Sequence, residues 1–300
     1  MSNTLKGYIF VLISVLAMAN VYIFSKAALK EVSIIIFGFY WFAFALFYNL
    51  LFLFYSKRNK QIKLLNKNNL FILFIIGIIE IAGTIFFFSA IKAMSNPAIV
   101  SFLANLAPVL ITIFGVLILK ERFNKIEITG IFLTIAGAMI ISFNPGFEIA
   151  ENFTKGLVFI LISNLLYAIS TIISKKNIHK INPAILSLNR VIYLFIVSLI
   201  AVFVTNSNVI ISFTTLKYIS AGALLGPFLA ALAGYTAIQY IEASRSAVIG
   251  SSKSLFVLLT AFLYFGKLPH YYQLIGGIIT VAGVLFISLG KMFLKKIGKT

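Results

Sequence analysis

The chain contains no cysteine and no aspartate, and its only acidic residues are seven glutamates. Without cysteine the protein can form no disulfide, no thiol nucleophile and no cysteine metal site. The glutamates are scattered singly, so the clusters of acidic residues and histidines that are usual in integral-membrane enzymes are missing. The sequence therefore argues against an enzyme.

Charged residues are also scarce, at 11% of the chain, whereas 61% of the residues are hydrophobic. A typical soluble domain is about one quarter charged. Apolar segments of about 20 residues, the length that crosses a bilayer as a helix, recur from end to end. Runs such as Phe86-Phe87-Phe88 lack the polar–apolar alternation of a β-barrel strand. These features predict an all-α polytopic membrane protein.

Breaking the sequence at charges, prolines and asparagine clusters predicts ten transmembrane helices joined by short connections. The ten spans are 7–25, 34–55, 70–91, 98–119, 126–143, 156–174, 184–205, 216–238, 246–265 and 272–293. The two histidines, His179 and His270, fall at connections on opposite sides of the membrane and cannot share a metal site. The first span lacks a cleavage pattern and is expected to be a retained helix.

The net charge of +18 reflects short basic clusters between the spans, so membrane lipid is the expected partner and nucleic acid is not. If the N-terminus is cytoplasmic, 17 Lys and Arg residues fall inside and six fall outside. The positive-inside rule then places both termini in the cytoplasm. We expect a multi-pass protein of the cell inner (plasma) membrane.

Two parts of the sequence repeat internally. Residues 6–26 align with residues 155–175 at a constant offset of 149, and Gly130 and residues 134–137 align with Gly276 and residues 280–283 at an offset of 146. This divides the chain into units 1–147 and 148–300 with five spans each. Because five is odd, the second unit must cross the membrane in the opposite sense, which predicts two inverted five-helix repeats. Such repeats support alternating access around a midplane site.

The repeated motifs resemble the EamA repeat of the drug/metabolite transporter superfamily. The residues that carry the resemblance are Ala90-Ile91-Lys92, Ala98, Pro108, Leu119-Lys120-Glu121-Arg122-Phe123, Gly130 and Ala136-Gly137 in the first unit, and Ala237-Ile238-Gln239, Ala247, Phe265-Gly266-Lys267, Gly276-Gly277 and Ala282-Gly283 in the second. The resemblance implies ten helices with cytoplasmic termini. It also implies a central cavity lined mainly by helices one, three, four, six, eight and nine.

The second unit departs from this pattern. Lys253 stands where the first unit has Ala107, and Lys267 stands where it has Glu121. The resemblance does not explain Lys253, and it leaves the substrate open.

Three ionisable residues fall inside predicted spans: Glu80, Arg190 and Lys253. A charged side chain at the centre of a span costs about 2.5–3.5 kcal/mol on insertion scales, so such residues usually face a cavity or a partner. We expect Lys253 and Arg190 to present positive charge to an anionic or zwitterionic substrate, with Glu80 balancing them or accepting a coupling proton. The alternatives are a structural Glu80–Lys253 ion pair and an Arg190 side chain that snorkels to the interface.

Polar and aromatic side chains at similar depths are candidates for the cavity lining, although they could equally bond neighbouring helices. They are Asn20, Trp41, Ser101, Asn105, Asn164, Tyr167, Tyr235, Ser251 and Ser252. Pro108 and Pro227 should kink the fourth and eighth helices, which fits either gating or a static bend.

These observations predict a secondary carrier, since no phosphate-binding G-x-x-x-x-G-K-[ST] loop is present. We expect a small polar metabolite as substrate, an amino acid or a similar zwitterion or organic anion, moved by alternating access with export as the direction. Protons are the expected coupling ion, and a facilitator or an exchanger is the alternative. No cofactor is expected. Transport of a cationic amine or drug, in either direction, and a non-transport membrane subunit are the alternatives.

Overall fold

The computed structural model describes residues 2–93, 103–142, 153–265 and 270–296, and over these residues the chain is helical with no β-strand. The helices are α1 (Asn3–Ala28), α2 (Ile34–Tyr55), α3 (Lys67–Ala93), α4 (Ala107–Leu119), α5 (Lys125–Ser142), α6 (Phe153–Asn177), α7 (Pro183–Val204), α8 (Phe213–Tyr240), α9 (Ala243–Ser251), α10 (Lys253–Phe265) and α11 (Tyr271–Lys296). A short 3₁₀ turn, Arg58–Leu64, joins α2 to α3.

Local signals set the helix starts. The side chains of Ser33, Asn182 and Ser212 accept hydrogen bonds from backbone N–H groups in the first turns of α2, α7 and α8. Pro183 follows Asn182 at the first helical position, where its missing N–H has no cost. Each of these three helices therefore begins at a cap that the sequence supplies.

The helix lengths and outer surface are those of a multi-pass membrane protein. Six described helices, α1, α2, α3, α6, α7 and α8, contain stretches long and apolar enough to cross a membrane. Large apolar side chains cover the outside of the bundle: Phe132 and Ile278 are each 71% exposed and Phe47 is 58% exposed. Water would disfavour such a surface, whereas lipid tails cover it.

Two predicted spans differ from the structure. The fourth, predicted over 98–119, is represented by α4 starting at Ala107, and residues 98–102 lie outside the described part of the chain. The ninth, predicted as one helix over 246–265, starts earlier at Ala243 and is interrupted by a turn at Ser252. Sequence reasoning missed this break because no proline marks it and a single glycine, Gly250, is tolerated within a membrane helix. Helix α10 begins at Lys253 and α4 begins at Ala107, and these two positions are related by the offset of 146.

Seven neighbouring contacts close the central helices into a ring. Going round it, α1 packs against α8, α8 against α7, α7 against α3, α3 against α6, α6 against α4, and α4 against α9, while α9 and α10 return to α1. Helix α2 lies outside this ring against α7 and α8, and α5 and α11 lie outside it against α9 and α10. The ring is the element that positions the candidate site.

Helices α5 and α11 approach closely through glycines. A Cβ atom on Gly130 would lie 2.8 Å from the carbonyl oxygen of Gly283, and one on Gly137 would lie 2.6 Å from that of Gly276. Small residues permit such backbone contact between membrane helices. The pairing is reciprocal, because the offset of 146 turns Gly130 into Gly276 and Gly137 into Gly283.

Two serine hydrogen bonds recur in the same manner. The hydroxyl of Ser14 in α1 donates to the carbonyl of Ala230 in α8 at 2.8 Å, and that of Ser163 in α6 donates to the carbonyl of Gly83 in α3 at 2.8 Å. Ser14 and Ser163 are related by the offset of 149. Equivalent contacts therefore fix α1 on α8 and α6 on α3.

Helix α8 changes its winding at its proline. Residues Leu224–Ala230, which include Pro227, form a π-helical segment instead of a simple kink. The wider turn accommodates the proline, which has no N–H to donate. A Cβ atom on Gly226 would lie 2.9 Å from the side chain of Val21, so α8 also packs closely on α1 at this point.

Candidate functional site

Glu80 and Arg190 form an ion pair inside the ring, with 3.0 Å between Oε2 of Glu80 and Nε of Arg190. The contact lacks the alignment of a hydrogen bond. The other carboxylate oxygen of Glu80 accepts a hydrogen bond from the Ser170 hydroxyl at 2.6 Å. The pair thus links α3, α7 and α6.

Two tyrosines surround this pair. The Tyr167 hydroxyl contacts the guanidinium group of Arg190 and lies 3.1 Å from the hydroxyl of Thr84. Tyr235 of α8 lies beside Ser174 and close enough to Arg190 and Glu80 to interact electrostatically with both. Four helices of the ring therefore contribute to one polar cluster, which we call the central cluster: Glu80, Thr84, Tyr167, Ser170, Arg190 and Tyr235.

Glycines on α3 allow its neighbours to approach. A Cβ atom on Gly83 would lie 3.2 Å from the ring of Tyr167, and one on Gly77 would lie 2.5 Å from the ring of Tyr193. Glu80 stands between these two glycines, so α6 and α7 are both held close to its carboxylate.

Arg190 combines a central position with a partly exposed side chain. Its side chain is 28% exposed, whereas that of Glu80 is 5% exposed. Because helices α3, α6 and α8 lie around it, the exposed part of the guanidinium group faces the interior of the ring. A guanidinium group has about five N–H donors, and the contacts to Glu80 and Tyr167 use only some of them. The remaining donors suit a carboxylate or another planar anion.

Lys253 is the first residue of α10, directly after the break at Ser252. Leu255, two residues later, contacts Gly277 of α11 on the outer side of the ring. Residues two apart point about 200° apart on a helix, so Lys253 points away from α11, the helix outside the ring. Among the residues that the structure describes, Lys253 forms no ion pair, and Glu80 pairs with Arg190 instead. The alternative of a structural Glu80–Lys253 pair is therefore wrong, and so is that of an Arg190 that snorkels outward, because Glu80 and Arg190 pair with each other.

The structure brings four of the predicted site residues, Glu80, Arg190, Tyr167 and Tyr235, into the central cluster. The other candidates that the structure describes have different surroundings. The Asn20 amide donates to the Leu16 carbonyl of its own helix at 2.9 Å. Ser251 and Ser252 likewise donate to carbonyls of α9 at 2.6 Å.

Two predicted asparagines join helices instead. The Asn164 amide donates to the Leu103 carbonyl at 2.9 Å, and Asn105 donates to the Ala138 carbonyl at 3.5 Å. Asn164 thus fixes α6 to the segment before α4, and Asn105 fixes that segment to α5.

Trp41 is 8% exposed and packs between helices, against Phe37 of its own helix and against Gly222 and Gly226 of α8. Trp41 therefore packs against a neighbouring helix, which was the alternative to lining the cavity. Ser101 lies outside the described residues. Pro108 lies in the first turn of α4, and a turn at Asn105 and Leu106 interrupts the helical chain directly before it, so the fourth helix is broken next to this proline.

Sequence reasoning missed Thr84 and Ser170. Both lie close to predicted residues on the same helix face: Thr84 is four residues after Glu80, and Ser170 is three residues after Tyr167. Spacings of three and four residues were the available signal. In the described part of the chain, no group of three His, Cys, Asp or Glu side chains could hold a metal ion.

A separate cavity of about 240 Å³ lies among loops at the end of the bundle where α6 meets α7. Its polar lining includes Gln61, His179, Lys180 and Gln239. None of the central cluster lines it, so this cavity is distinct from the candidate site.

A family model described as the EamA-like transporter family matches residues 5–143 and 154–289. The chain belongs to the EamA-like transporter family. The two matched segments coincide with the two halves of the sequence repeat, and the predicted family resemblance is confirmed.

Relatives of this EamA-like transporter carry matching descriptions. An "Uncharacterized transporter" of Archaeoglobus fulgidus is 25% identical over 284 residues, covering 93% of this chain and 96% of the relative. "Uncharacterized transporter YxxF" of Bacillus subtilis is 26% identical over 108 residues, covering 36% of this chain and 34% of the relative. A solved crystal structure superimposes with a TM-score of 0.81 at 14% identity, covering 98% of each chain, and shows the same fold. The family and the relatives' descriptions identify a membrane transporter.

Proposed function

We propose that this EamA-like transporter is a secondary carrier that moves a small carboxylate-bearing metabolite, an amino acid or a similar zwitterion or organic anion, by alternating access. The observation that carries the proposal is the Arg190 guanidinium, held inside the ring by Glu80 and partly exposed to the ring interior. A substrate carboxylate would take the donors that Arg190 has left over.

The hydroxyls of Tyr167 and Tyr235 complete the proposed subsite. Both lie next to Arg190, and a hydroxyl can donate to the second oxygen of a bound carboxylate. Their rings provide apolar walls for the rest of the molecule. A site that combines apolar walls with few polar groups suits a small metabolite.

Lys253 supplies a second positive charge. Its position at a helix break, pointing away from α11, resembles the broken helices at which carriers hold substrates. With Arg190 compensated by Glu80, Lys253 is the charge that would give the site a net preference for anions over cations.

The recurring contacts support two inverted repeats as the basis of alternating access. Gly130 with Gly283 and Gly137 with Gly276 form a reciprocal contact, which is what a two-fold axis between two equivalent halves produces. The equivalent helix starts at Ala107 and Lys253 fit the same axis. Rocking of the two halves about the central cluster would then expose it to one side at a time.

Protons are the proposed coupling ion. Protonation would neutralise Glu80 and weaken its hold on Arg190, which frees the guanidinium group for substrate. The same event would link proton entry to substrate binding, with export as the proposed direction and both termini in the cytoplasm of the inner (plasma) membrane.

Flux through proteoliposomes tests the proposal. Purified protein is reconstituted and assayed for exchange with a panel of labelled amino acids, organic acids and amines. We expect flux of a carboxylate-bearing compound, lost in Glu80→Gln, Arg190→Gln and Lys253→Ala but retained in Lys217→Ala, whose lysine is exposed at the start of α8. Flux of amines alone, or full flux in all three variants, would contradict it.

A further inference from the structure

Charged contacts close one end of the ring. This end, which we call the basic face, carries the N-terminus of α1 and the connections between α2 and α3, α4 and α5, α6 and α7, and α8 and α9. There the Lys175 ammonium of α6 donates to the carbonyls of Ile238 at 2.6 Å and Ile241 at 2.7 Å, at the end of α8. Helices α6 and α8 are not consecutive in the ring but touch at this end of the bundle, where Lys175 joins them.

The C-terminal end of α8 is a favourable place for the Lys175 ammonium group. The last carbonyls of a helix lack intrahelical partners, and a cation there also interacts favourably with the helix dipole. Lys175 is half-buried, while the adjacent Lys176 is exposed. Of these two lysines, only Lys175 therefore joins α6 to α8.

Glu121 makes a second closing contact at the basic face. Its carboxylate, 8% exposed, accepts the backbone N–H of Ala243 at 2.7 Å and of Ser244 at 3.1 Å, and also the Ser244 hydroxyl. These N–H groups open α9, which has no side-chain cap of its own. A carboxylate from the α4–α5 connection thus caps α9.

Arg245 strengthens this contact. Its guanidinium lies 2.7 Å from the Glu127 carboxylate, also pairs with Glu242, and donates to the Arg122 carbonyl at 3.2 Å. The Arg245 and Glu127 side chains are each 3% exposed. Opening the basic face by moving α9 away from α4 and α5 would break the contacts to Glu121, Glu127 and Arg122, whereas the pair with Glu242 would move with α9.

The sequence does not repeat these carboxylates in the second half. At the offset of 146, Glu121 corresponds to Lys267 and Glu127 corresponds to Gln273. Gln273 makes neutral hydrogen bonds, accepting from the His270 N–H at 3.0 Å and donating to the Ile141 carbonyl at 3.3 Å. A lysine cannot cap a helix N-terminus as Glu121 does, because it has no acceptor.

We propose that Lys175, Glu121 and Arg245 are the gate residues that hold the basic face closed, and that the carrier without substrate therefore rests accessible from the opposite face. The inference rests on the proposed alternating-access carrier. It adds which of the two conformations the carrier adopts without substrate. Charge-assisted hydrogen bonds stabilise the closed basic face, whereas at the opposite face the described counterpart of Glu127, Gln273, makes neutral hydrogen bonds.

Single-cysteine labelling tests the gate, since the natural chain has no cysteine to remove. Thr84→Cys reports the half of the ring nearer the opposite face. Thr171→Cys reports the half nearer the basic face, because Thr171 lies one turn beyond Tyr167 on the same side of α6. Each full-length variant is placed in vesicles of known orientation and labelled with a membrane-impermeant maleimide from one side at a time.

With the gate intact, Thr84→Cys should label from the opposite face and Thr171→Cys should be protected from the basic face. Adding Lys175→Met should change the ratio of the two states by about tenfold, the effect of losing charge-assisted hydrogen bonds. Labelling of Thr171→Cys should therefore accelerate several-fold, and that of Thr84→Cys should slow by a smaller factor. Glu121→Gln, the second gate variant, should act in the same direction. Lys176→Met and Glu31→Gln, a lysine beside the gate and a carboxylate at the opposite face, should change neither rate.

Equal labelling of Thr171→Cys with and without Lys175→Met and Glu121→Gln would overturn the gate. So would acceleration of both reporters together, which indicates loosening of the whole bundle and not a change of state. The assay uses no substrate. Its failure therefore leaves the flux experiment to decide the proposed function separately.

Discussion

Arg190 of α7 and Glu80 of α3 share the interior of the ring at 3.0 Å, and each removes the cost of the other's charge within the membrane-spanning bundle. Glu80 is almost fully buried, and its second oxygen is satisfied by Ser170. Arg190 keeps part of its surface accessible. This asymmetry makes Glu80 the anchor of the pair and Arg190 the group that can meet a ligand.

Breaking the pair on one side should destabilise the protein. Glu80→Gln leaves the Arg190 charge uncompensated, and we expect a loss of about 3 kcal/mol in the free energy of unfolding, the lower end of the range for buried pairs because the Arg190 side chain is partly exposed. The double variant Glu80→Gln/Arg190→Gln should recover part of this loss. Denaturant unfolding in detergent measures both, and strictly additive losses would show that the two side chains do not interact.

Glu31, in the α1–α2 connection outside the membrane, should make stability depend on pH. Hydrogen bonds from Thr215 first and Ser212 second lower the pKa of its carboxyl below the ordinary value of 4.5. A lowered folded-state pKa stabilises the protein above pH 4.5, and this contribution is lost as the pH falls through the folded-state pKa.

The comparison of wild type with Glu31→Gln isolates this effect. The midpoint of thermal unfolding should be higher for wild type at pH 7, and the difference should shrink as the pH falls below 4.5. A difference that stays constant down to pH 3 would show that ionisation of Glu31 does not matter for stability.

The contact between α5 and α11 should not tolerate a side chain. In Gly137→Ala the new Cβ would lie 2.6 Å from the Gly276 carbonyl oxygen and against the Thr280 hydroxyl. Backbone cannot move aside cheaply, so we expect a loss of about 1–3 kcal/mol in the free energy of unfolding. Gly250→Ala is the matched control, because nothing lies within 4 Å of a Cβ atom there. It should leave stability unchanged or raise it slightly, and equal losses in the two variants would refute the close-packing explanation.

Much of the architecture could be predicted from the sequence, because lipid imposes strong and simple constraints. The length of the apolar segments predicted the helices. The repeated Lys6-Gly7 and Lys155-Gly156 motifs predicted the division into two halves. Glu80 and Arg190 were identifiable because charges inside apolar spans are costly.

The partner of Glu80 could not be predicted. The sequence gives the depth of a residue in a span but not which helices are neighbours. Lys253 and Arg190 were therefore both possible partners of Glu80. The closing contacts of Glu121 and Arg245 were missed for a related reason. Arg245 was counted as a topology signal and Glu121 was read only as part of the family motif. In the structure both are buried, Glu121 at the start of α9 and Arg245 against Glu127 of α5.

The helix break before Lys253 also could not be predicted from the sequence. Ser251 and Ser252 are compatible with a helix, and their hydroxyls turn back to carbonyls of α9 only once the chain has folded. Serine in this role competes with the helical hydrogen bonds of the backbone. The costly Lys253 was the indirect sign of something unusual at this point.

The most direct measurement of the central claim is the thermal shift of purified protein with amino acids, organic acids, amines and nucleotides. The account predicts that carboxylate-bearing compounds raise the unfolding temperature of wild type and that this shift is lost in Arg190→Gln and in Lys253→Ala. Stabilisation by cations alone, or a carboxylate-dependent shift that survives in both variants, would contradict it.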